Sequence, residues 1–205
     1  MKTYFLNESC FIYSLSDKLD FDDNSKVIKI YKQILADKLF CKQYQILDIV
    51  PTYNSIAFHT SFLDLILFEK VILQRVSEVD FSIQSESVIH EIFVDYNGED
   101  LESVAKNLGL SVDEIIRRHI NPIYTIAMLG FKPYFPYLLE LDESISVQRL
   151  ATPRNRIAKG SIGIGGAQTT IFPQQTPSGW NIIGNSSFDA FSSFNAGDKI
   201  IFRRK

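Results

Sequence analysis

Apolar and polar residues follow two distinct patterns in the first eighty residues. From Lys26, apolar side chains recur at helical spacing with lysines between them, and a second helical pattern runs over residues 63–76. Asn24 or Ser25 is predicted to cap the first helix. Three short apolar runs are typical of strands, at residues 10–15, 46–50 and 55–58. The order strand, helix, strand, helix predicts two helices packed on one face of a small sheet.

A polar, serine-rich segment at residues 80–87 ends this pattern, and we expect a domain boundary there. Two short helices are predicted beyond it, at residues 100–108 and 111–119, joined at Gly109. After residue 123, short apolar runs alternate with proline and glycine turns, which is typical of a β-barrel or a β-sandwich. The fold class is therefore predicted to be α+β. The two predicted domains are residues 1–87 and residues 88–205.

The charge balance argues against nucleic acid or a membrane as a partner. The chain has 205 residues with 21 basic and 24 acidic side chains, which offers no broad attraction for polyanions or anionic lipid. Residues 100–119 imitate a DNA-binding helix-turn-helix, but the second helix carries only Arg117 and Arg118 as basic side chains that could contact DNA. We expect these two helices to pack on the β domain instead.

The N-terminal segment and the cysteines bear on where the protein is found. The sequence shows no signal-peptide pattern and no apolar segment of membrane-spanning length. Cys10 and Cys41 lie far apart, and neither His59 nor His90 has a partner at metal-ligand spacing. We therefore expect a cytoplasmic protein with two free thiols and no metal.

A glycine-rich stretch at residues 160–180 is the most distinctive part of the sequence, and we interpret it as a surface built for recognition. Short apolar pairs flank the glycines and predict strands whose polar turns carry the site. Gly165 and Gly166 precede Gln168 and Thr169, so exposed backbone N–H groups, an amide and a hydroxyl could together hold an anion or a carbonyl oxygen. The spacing matches neither a P-loop nor a dinucleotide-binding fingerprint.

Two further residues are candidates for chemistry. His119 ends a predicted helix, where the helix C-terminus would favour its protonated form. It is either a proton donor or anion binder, or a histidine that satisfies terminal carbonyl groups. Arg154 and Arg156 lie beside Pro153 in a rigid turn. They either grip a carboxylate or phosphate through their planar donors, or are solvated surface residues.

Residues 130–138 are crowded with prolines and aromatic side chains. Because each proline removes a backbone donor and restrains its neighbour, we expect a stiff exposed turn rather than a continued strand. Such a turn either presents aromatic faces to a ligand or partner, or forms a lid over the protein's own core.

Several separate motifs, in this order along the chain, resemble the allophanate hydrolase subunit 1 family, which includes the B-type subunits of 5-oxoprolinase and a Kip-type inhibitor of a histidine kinase. The motifs include V-P-T-Y-N-S at residues 50–55, F-P-Y-L at 135–138, T-P-R at 152–154, G-S-I-G-I at 160–164, and G-D-K at 197–199. The resemblance implies an N-terminal α+β domain, ferredoxin-like, followed by a cyclophilin-like β-barrel domain.

The resemblance also implies that the protein works with a larger partner, of the allophanate hydrolase subunit 2 type or the 5-oxoprolinase C type, and with a LamB/YcsF-type third component, the A type. The 5-oxoprolinase assembly uses ATP to open the lactam of 5-oxoproline to glutamate. An amide carbonyl is a poor electrophile, and phosphorylating its oxygen activates it before water attacks. The alternative that the family offers is a non-catalytic protein that inhibits a sensor histidine kinase.

Site residues follow from the same resemblance. His119, Arg154 and Gln168 are predicted to be catalytic. The predicted substrate-binding residues are Phe135, Pro136, Tyr137, Gly165, Gly166, Thr169 and Trp180. The chain also departs from the family pattern: residues 133–140 read P-Y-F-P-Y-L-L-E where three glycines are usual, Ala167 and Thr170 replace two more, and Asn185 replaces a common arginine. A non-catalytic or altered-substrate member is therefore an alternative interpretation.

Overall fold

A computed structural model describes residues 1–17, 19–84 and 86–205. In it, the chain forms two units of mixed α and β structure. The units are residues 1–86 and 87–205. Ser85, which belongs to the predicted boundary segment, lies outside the described residues. No helix among those described is long and apolar enough to cross a membrane. The prediction of an α+β fold class is confirmed.

The first unit is a four-stranded antiparallel sheet with three helices. The strands are β1 (Lys2–Asn7), β2 (Cys10–Ser14), β3 (Ile46–Pro51) and β4 (Ser55–Thr60), in the spatial order β1-β2-β4-β3. The helices are α1 (Phe21–Ala36), α2 (Lys38–Gln43) and α3 (Leu65–Ser77). The sequence pattern does not predict β1 or α2. Cys10 and Cys41 are free thiols, as predicted.

Helix α1 begins earlier than the sequence pattern predicts. Asp20 is the N-cap, and its side chain accepts a 3.0 Å hydrogen bond from the backbone N–H of Asp23. The predicted caps, Asn24 and Ser25, are wrong because both lie inside the helix. Asn24 is buried, and its side-chain amide donates to the Thr52 carbonyl oxygen at 3.0 Å. This residue therefore joins α1 to the turn between β3 and β4.

An aromatic cluster fills the core of the first unit. Phe11 of β2, Phe58 of β4 and Phe68 of α3 are each fully buried. The Phe11 and Phe68 rings meet edge to face, with centroids 6.1 Å apart, a geometry that aromatic quadrupoles favour. Alternate positions of β2 and β4 thus supply the surface on which α1 and α3 pack.

The second unit is built around a seven-stranded sheet. Its strands are β5 (Ile89–Val94), β6 (Tyr124–Leu129), β7 (Pro136–Leu139), β9 (Ser161–Ile164), β10 (Thr169–Ile171), β12 (Asn181–Asn185) and β13 (Lys199–Arg204). Their spatial order is β12-β9-β10-β7-β6-β13-β5. Two more strands, β8 (Arg154–Ile157) and β11 (Thr176–Ser178), pair with each other.

The two edge strands of this sheet are joined by one pair of backbone hydrogen bonds. Just after β5, the Asp95 N–H donates to the Asn185 carbonyl oxygen at 2.8 Å, and the Asn185 N–H donates to the Asp95 oxygen at 2.9 Å. This bridge links β5 to β12, so the sheet curls into a nearly closed barrel.

Helices α4 (Leu101–Leu108) and α5 (Val112–Ile120) pack on the barrel, as the sequence predicts. Helix α4 ends at Gly109, whose left-handed conformation with φ of 66° closes the helix. Helix α5 begins at Ser111, whose hydroxyl accepts from the Glu114 N–H at 3.2 Å. Ile115 and Ile116 carry the buried face of α5 into the barrel core.

The prediction of an exposed turn at residues 130–138 is wrong for its second half. Phe131 and Tyr134 form a tight turn with φ of 67° and 61° and are 61% and 47% exposed. Phe135 is only 1% exposed. Pro136 begins β7, a position where the missing N–H removes no essential ladder bond. Tyr134 replaces a glycine in the motif that carries the resemblance described above, and its φ of 61° is a backbone conformation that glycine adopts most easily.

Replacing Phe68 by alanine should destabilise the first unit by about 3–5 kcal/mol, because it leaves a cavity in a closely packed core. The matched control is Ile66→Ala in the same helix, where the side chain is 86% exposed. We expect the control to change stability by less than about 0.5 kcal/mol. Hydrogen exchange of the β2 and β4 amides measures both effects. Equal protection in the two variants would contradict the packing described.

Candidate functional site

The glycine-rich stretch at residues 160–180 lies mostly inside the barrel rather than on its surface. It contributes the paired strands β9 and β10, as predicted, and β9 lies between β10 and β12. Ile162, Ile164 and Ile171 are fully buried. The interpretation of this stretch as a recognition surface is therefore wrong for most of its length. Its alternating small and branched residues serve close packing in a barrel wall.

The backbone donors predicted to hold an anion are already used within the fold. The Gly165 N–H donates to the Gln168 carbonyl oxygen at 3.0 Å, and the Gly166 N–H donates to the Val147 oxygen at 2.7 Å. Both bonds shape the turn between β9 and β10. Gln168 and Thr169 are buried. The prediction that these N–H groups are exposed is wrong, because the first bonds within the β9–β10 hairpin and the second bonds to the segment that contains Val147.

His119 lies at the centre of a buried hydrogen-bond chain. Its Nδ1 is 2.7 Å from the Tyr96 hydroxyl, and its Nε2 is 2.9 Å from the Thr169 hydroxyl oxygen. The Thr169 hydroxyl donates to the Gly163 carbonyl oxygen at 3.0 Å. A hydroxyl has one proton, so Thr169 must accept from His119. His119 therefore carries its proton on Nε2, and its Nδ1 accepts from Tyr96.

Burial makes His119 neutral. The side chain is 0% exposed, and desolvation lowers its pKa from 6.5 to about 3. The prediction that the helix C-terminus keeps this imidazole protonated is wrong, because loss of solvent outweighs the helix dipole. With both ring nitrogens engaged, His119 joins α5 to β10. A catalytic role for His119 stays a prediction that this geometry does not favour.

Arg154 grips a carboxylate, but one that belongs to the protein. Its Nη1 and Nη2 donate to the two oxygens of Asp100 at 2.8 and 2.7 Å. One of these oxygens also accepts from the Ile182 N–H at 2.7 Å. Glu99 lies 3.2 Å from Arg154 Nε. The planar donor fork is thus occupied in tying β8 to the start of α4 and to β12, and a substrate contact by Arg154 stays a prediction.

Three of the predicted substrate-binding residues come together in one cleft of about 200 Å³ in the second unit. Phe135 and Tyr137 form one wall, and their ring centroids lie 6.4 and 6.2 Å from that of Trp180. Phe131 and Pro153 are also in its lining. We call this the aromatic cleft. Pro136, Gly166, Thr169, Gln168, His119 and Arg154 are not among the residues that line it.

Arg149 is the cleft residue that sequence reasoning missed. Its guanidinium carbon lies 4.7 Å from the centroid of the Trp180 ring, in cation–π contact. Arg149 is the only charged residue among the described residues that line the cleft. Pro153 marks a rigid turn in the sequence, which makes Arg154 and Arg156 recognisable as site candidates. No local sequence pattern indicates the contact of Arg149 with Trp180.

Gly165 supports the cleft from beneath. A Cβ atom at this position would lie 3.0 Å from both Arg149 Cγ and Trp180 Cδ2. The absence of a side chain therefore allows the arginine and the indole to lie against the β9–β10 turn. Thus Gly165 shapes the predicted site without lining it.

The electrostatics of the cleft favour a neutral phenol beside a cation. Burial raises the pKa of the Tyr137 hydroxyl above its ordinary value, and the positive charge of Arg149 partly opposes that shift. Tyr137 is therefore protonated at neutral pH. The cleft offers aromatic faces, one phenol and one guanidinium.

A second, larger cleft of about 390 Å³ lies near Asn97 and Asn185 but offers less to a ligand. Its polar groups pair with one another: the Asn185 amide donates to the Asn97 side-chain oxygen at 2.6 Å. Lys159 pairs with Asp189. A ligand would have to break these contacts, so the aromatic cleft is the stronger candidate site.

Comparison with known families and proteins adds an independent finding. Residues 1–201 match the family described as carboxyltransferase domain, subdomain C and D. The chain is 32% identical to the 5-oxoprolinase B subunit of Haemophilus influenzae, over 96% of this chain and 94% of that protein. It is 42% identical to the 5-oxoprolinase B subunit of Escherichia coli O157:H7, over 58% of this chain and 56% of that protein.

Solved structures share the fold. TTHA0988 superimposes with a TM-score of 0.84 at 26% identity, covering 96% of this chain but 40% of that one. PH0987 from Pyrococcus horikoshii gives a TM-score of 0.55 at 30% identity, covering 100% of this chain and 97% of that one. Kluyveromyces lactis urea carboxylase, with a TM-score of 0.73 at 13% identity over 99% of this chain and 21% of that one, shows a common fold alone. This chain therefore spans less than half the length of TTHA0988.

The neutral state of His119 predicts a specific loss of stability in acid. The folded pKa of about 3 lies below the ordinary 6.5, so the unfolded chain binds a proton that the folded chain does not. The free energy of unfolding therefore does not vary with pH through this residue above about pH 6.5. As the pH is lowered from about 6.5 to about 3, it falls by about 1.4 kcal/mol per pH unit.

Urea denaturation at several pH values, followed by the fluorescence of Trp180, measures this loss. The chain has one tryptophan, so the signal reports on the second unit. The control is His119→Gln, which removes the titrating group. The wild-type protein should lose stability more steeply than the control between pH 6 and pH 4, and parallel curves would refute the neutral assignment.

Proposed function

Because the chain belongs to the family of 5-oxoprolinase B subunits, within the carboxyltransferase subdomain C and D proteins, we propose that it is the B-type subunit of an ATP-dependent amidohydrolase complex. The proposed reaction opens the lactam of 5-oxoproline to glutamate. The proposed partners are a 5-oxoprolinase C-type protein and a LamB/YcsF-type protein, the A type. We also propose that residues 1–86 form the ferredoxin-like domain and residues 87–205 the cyclophilin-like domain.

One observation carries this proposal: the similarity extends over the whole length of both proteins. The 5-oxoprolinase B subunit of Haemophilus influenzae is matched over 94% of its length. The similarity therefore covers both units of this chain. The name of that relative implies further subunits, and the proposal extends this to the present chain.

The chemistry of lactam opening defines what the complex must provide. The γ-phosphoryl group of ATP moves to the lactam oxygen and ADP leaves. A first water adds to the activated carbon, and the ring C–N bond breaks as the nitrogen takes a proton. A second water then cleaves the resulting acyl phosphate to the carboxylate and inorganic phosphate. The sequence of this chain contains no P-loop pattern. We propose that ATP binds at the level of the complex and that this chain contributes a substrate site at the aromatic cleft.

Within this chain, the aromatic cleft is the proposed substrate site. Phe135, Tyr137 and Trp180 line it, and Gly165 lies under it. The two predicted catalytic residues His119 and Arg154 are held by internal partners, so we propose structural roles for both. The remaining predicted site residues belong to the surrounding barrel strands and turn, and we propose that they hold the cleft in shape: Pro136, Gly166, Gln168 and Thr169.

Reconstitution tests the proposed function. The chain is mixed with its candidate A-type and C-type partners, and release of glutamate from 5-oxoproline is measured with and without ATP. We expect release only when all subunits and ATP are present. Trp180→Ala should raise the KM for 5-oxoproline by about tenfold or more, because buried tryptophans commonly dominate binding energy.

The matched control is Phe93→Ala, an exposed aromatic residue of β5 that does not line the cleft. Its kinetics should equal those of the wild-type complex. A complex that assembles but releases no glutamate would contradict the enzyme assignment. Inhibition of kinase autophosphorylation by the purified chain would then favour the histidine-kinase inhibitor instead.

A further inference from the structure

We propose that Arg149 binds the carboxylate of a small substrate whose ring lies against the aromatic walls of the cleft, and that Arg149 thereby determines substrate specificity. The identity of the substrate as 5-oxoproline rests on the function proposed above. The binding of a small ring carboxylate rests on the cleft itself. The two can therefore fail separately.

The arginines of the chain differ in their ion-pair partners. The sequence has eight arginines. Six of them form ion pairs with carboxylates of the protein: Arg75, Arg117, Arg118, Arg154, Arg203 and Arg204. Within the described part of the chain, no carboxylate lies at ion-pair distance from Arg149 or Arg156. Of these two, Arg149 lines the aromatic cleft and Arg156 does not.

The guanidinium of Arg149 is held in place before any ligand binds. Stacking on the indole of Trp180 holds the guanidinium of Arg149 at 4.7 Å from the ring centroid. The bare backbone of Gly165 leaves room for both side chains, since a Cβ there would lie 3.0 Å from each of them. A stacked guanidinium has already lost much of its side-chain freedom. Its planar donors then bind a carboxylate at a smaller entropic cost than a free surface arginine.

The size and the lining of the cleft favour one class of ligand. A cleft of about 200 Å³ is smaller than the roughly 300–1,000 Å³ that drug-sized ligands occupy, so its size matches a small ring better than a nucleotide. A single guanidinium neutralises one negative charge, which matches a carboxylate better than a polyphosphate. Phe135, Tyr137 and Trp180 provide flat apolar faces for a ring-sized body.

Fluorescence of Trp180, the only tryptophan in the chain, reports binding directly. The purified full-length chain is titrated with 5-oxoproline, with 2-pyrrolidinone, which has the same ring without the carboxylate, and with inorganic phosphate. We expect 5-oxoproline to change the emission at concentrations at least about tenfold lower than 2-pyrrolidinone, because only it makes a charge-assisted bond. Phosphate should be as weak as 2-pyrrolidinone.

Variants of Arg149 and Arg156 distinguish a specific contact with the carboxylate from general electrostatic attraction. Arg149→Gln should weaken 5-oxoproline binding by about tenfold or more and leave 2-pyrrolidinone unchanged. Arg149→Lys should bind 5-oxoproline with an affinity between those of the wild type and Arg149→Gln, because lysine keeps the charge without the planar fork of donors. Arg156→Gln is the control: it removes one charge outside the cleft and should bind as the wild type does.

The outcomes decide between the two proposals. Equal binding of 5-oxoproline by Arg149→Gln and the wild type, no preference over 2-pyrrolidinone, or phosphate binding as strong as that of 5-oxoproline would overturn the inference. In an active reconstituted complex, Arg149→Gln should raise KM with little change in kcat, and an unchanged KM would overturn it as well. A chain that binds through Arg149 in a complex without lactamase activity would contradict the proposed function alone.

Discussion

The second unit depends on a buried chain of hydrogen bonds through one neutral histidine. Tyr96 donates to His119, His119 donates to Thr169, and Thr169 donates to a β9 carbonyl oxygen. The chain joins the segment after β5, helix α5 and two neighbouring strands beside the apolar core of the barrel. Each member is satisfied only because the others are in place, so the network fixes their register. A charged imidazole would be incompatible with this interior.

The aromatic cleft offers groups to a ligand, whereas polar groups such as His119 are paired with one another inside the barrel. Its interior holds His119 as a structural bridge, and the Asp100–Arg154 pair ties β8, α4 and β12 together. The available cation and aromatic faces lie instead in the aromatic cleft, around Trp180 and Arg149. The rigid strands on which these side chains stand keep the cleft in shape before any ligand binds, which favours specific binding.

Local periodicity and turn residues determine the helices after residue 100 and the β character beyond residue 123, so the sequence predicts both. Asn24 is an acceptable helix cap in sequence, but Asp20 caps α1 one turn earlier, and the Asn24 side chain donates to the Thr52 carbonyl oxygen instead. Motif resemblance identifies the three aromatic residues that meet in the cleft. The neutral state of His119 depends on which strands become neighbours in the barrel. The cation–π contact joins Arg149 to Trp180, which is distant from it in sequence. Neither could be predicted from local pattern.

We propose that small molecules bind at the aromatic cleft, whereas His119 has a structural role in the barrel interior. An NMR titration of the chain with 5-oxoproline tests it most directly, through the indole Nε1–H of Trp180 and the ring nitrogens of His119. We expect the indole signal to shift on binding while His119 keeps its neutral, Nε2-protonated signature. A shift at His119 with an unchanged indole signal would contradict it.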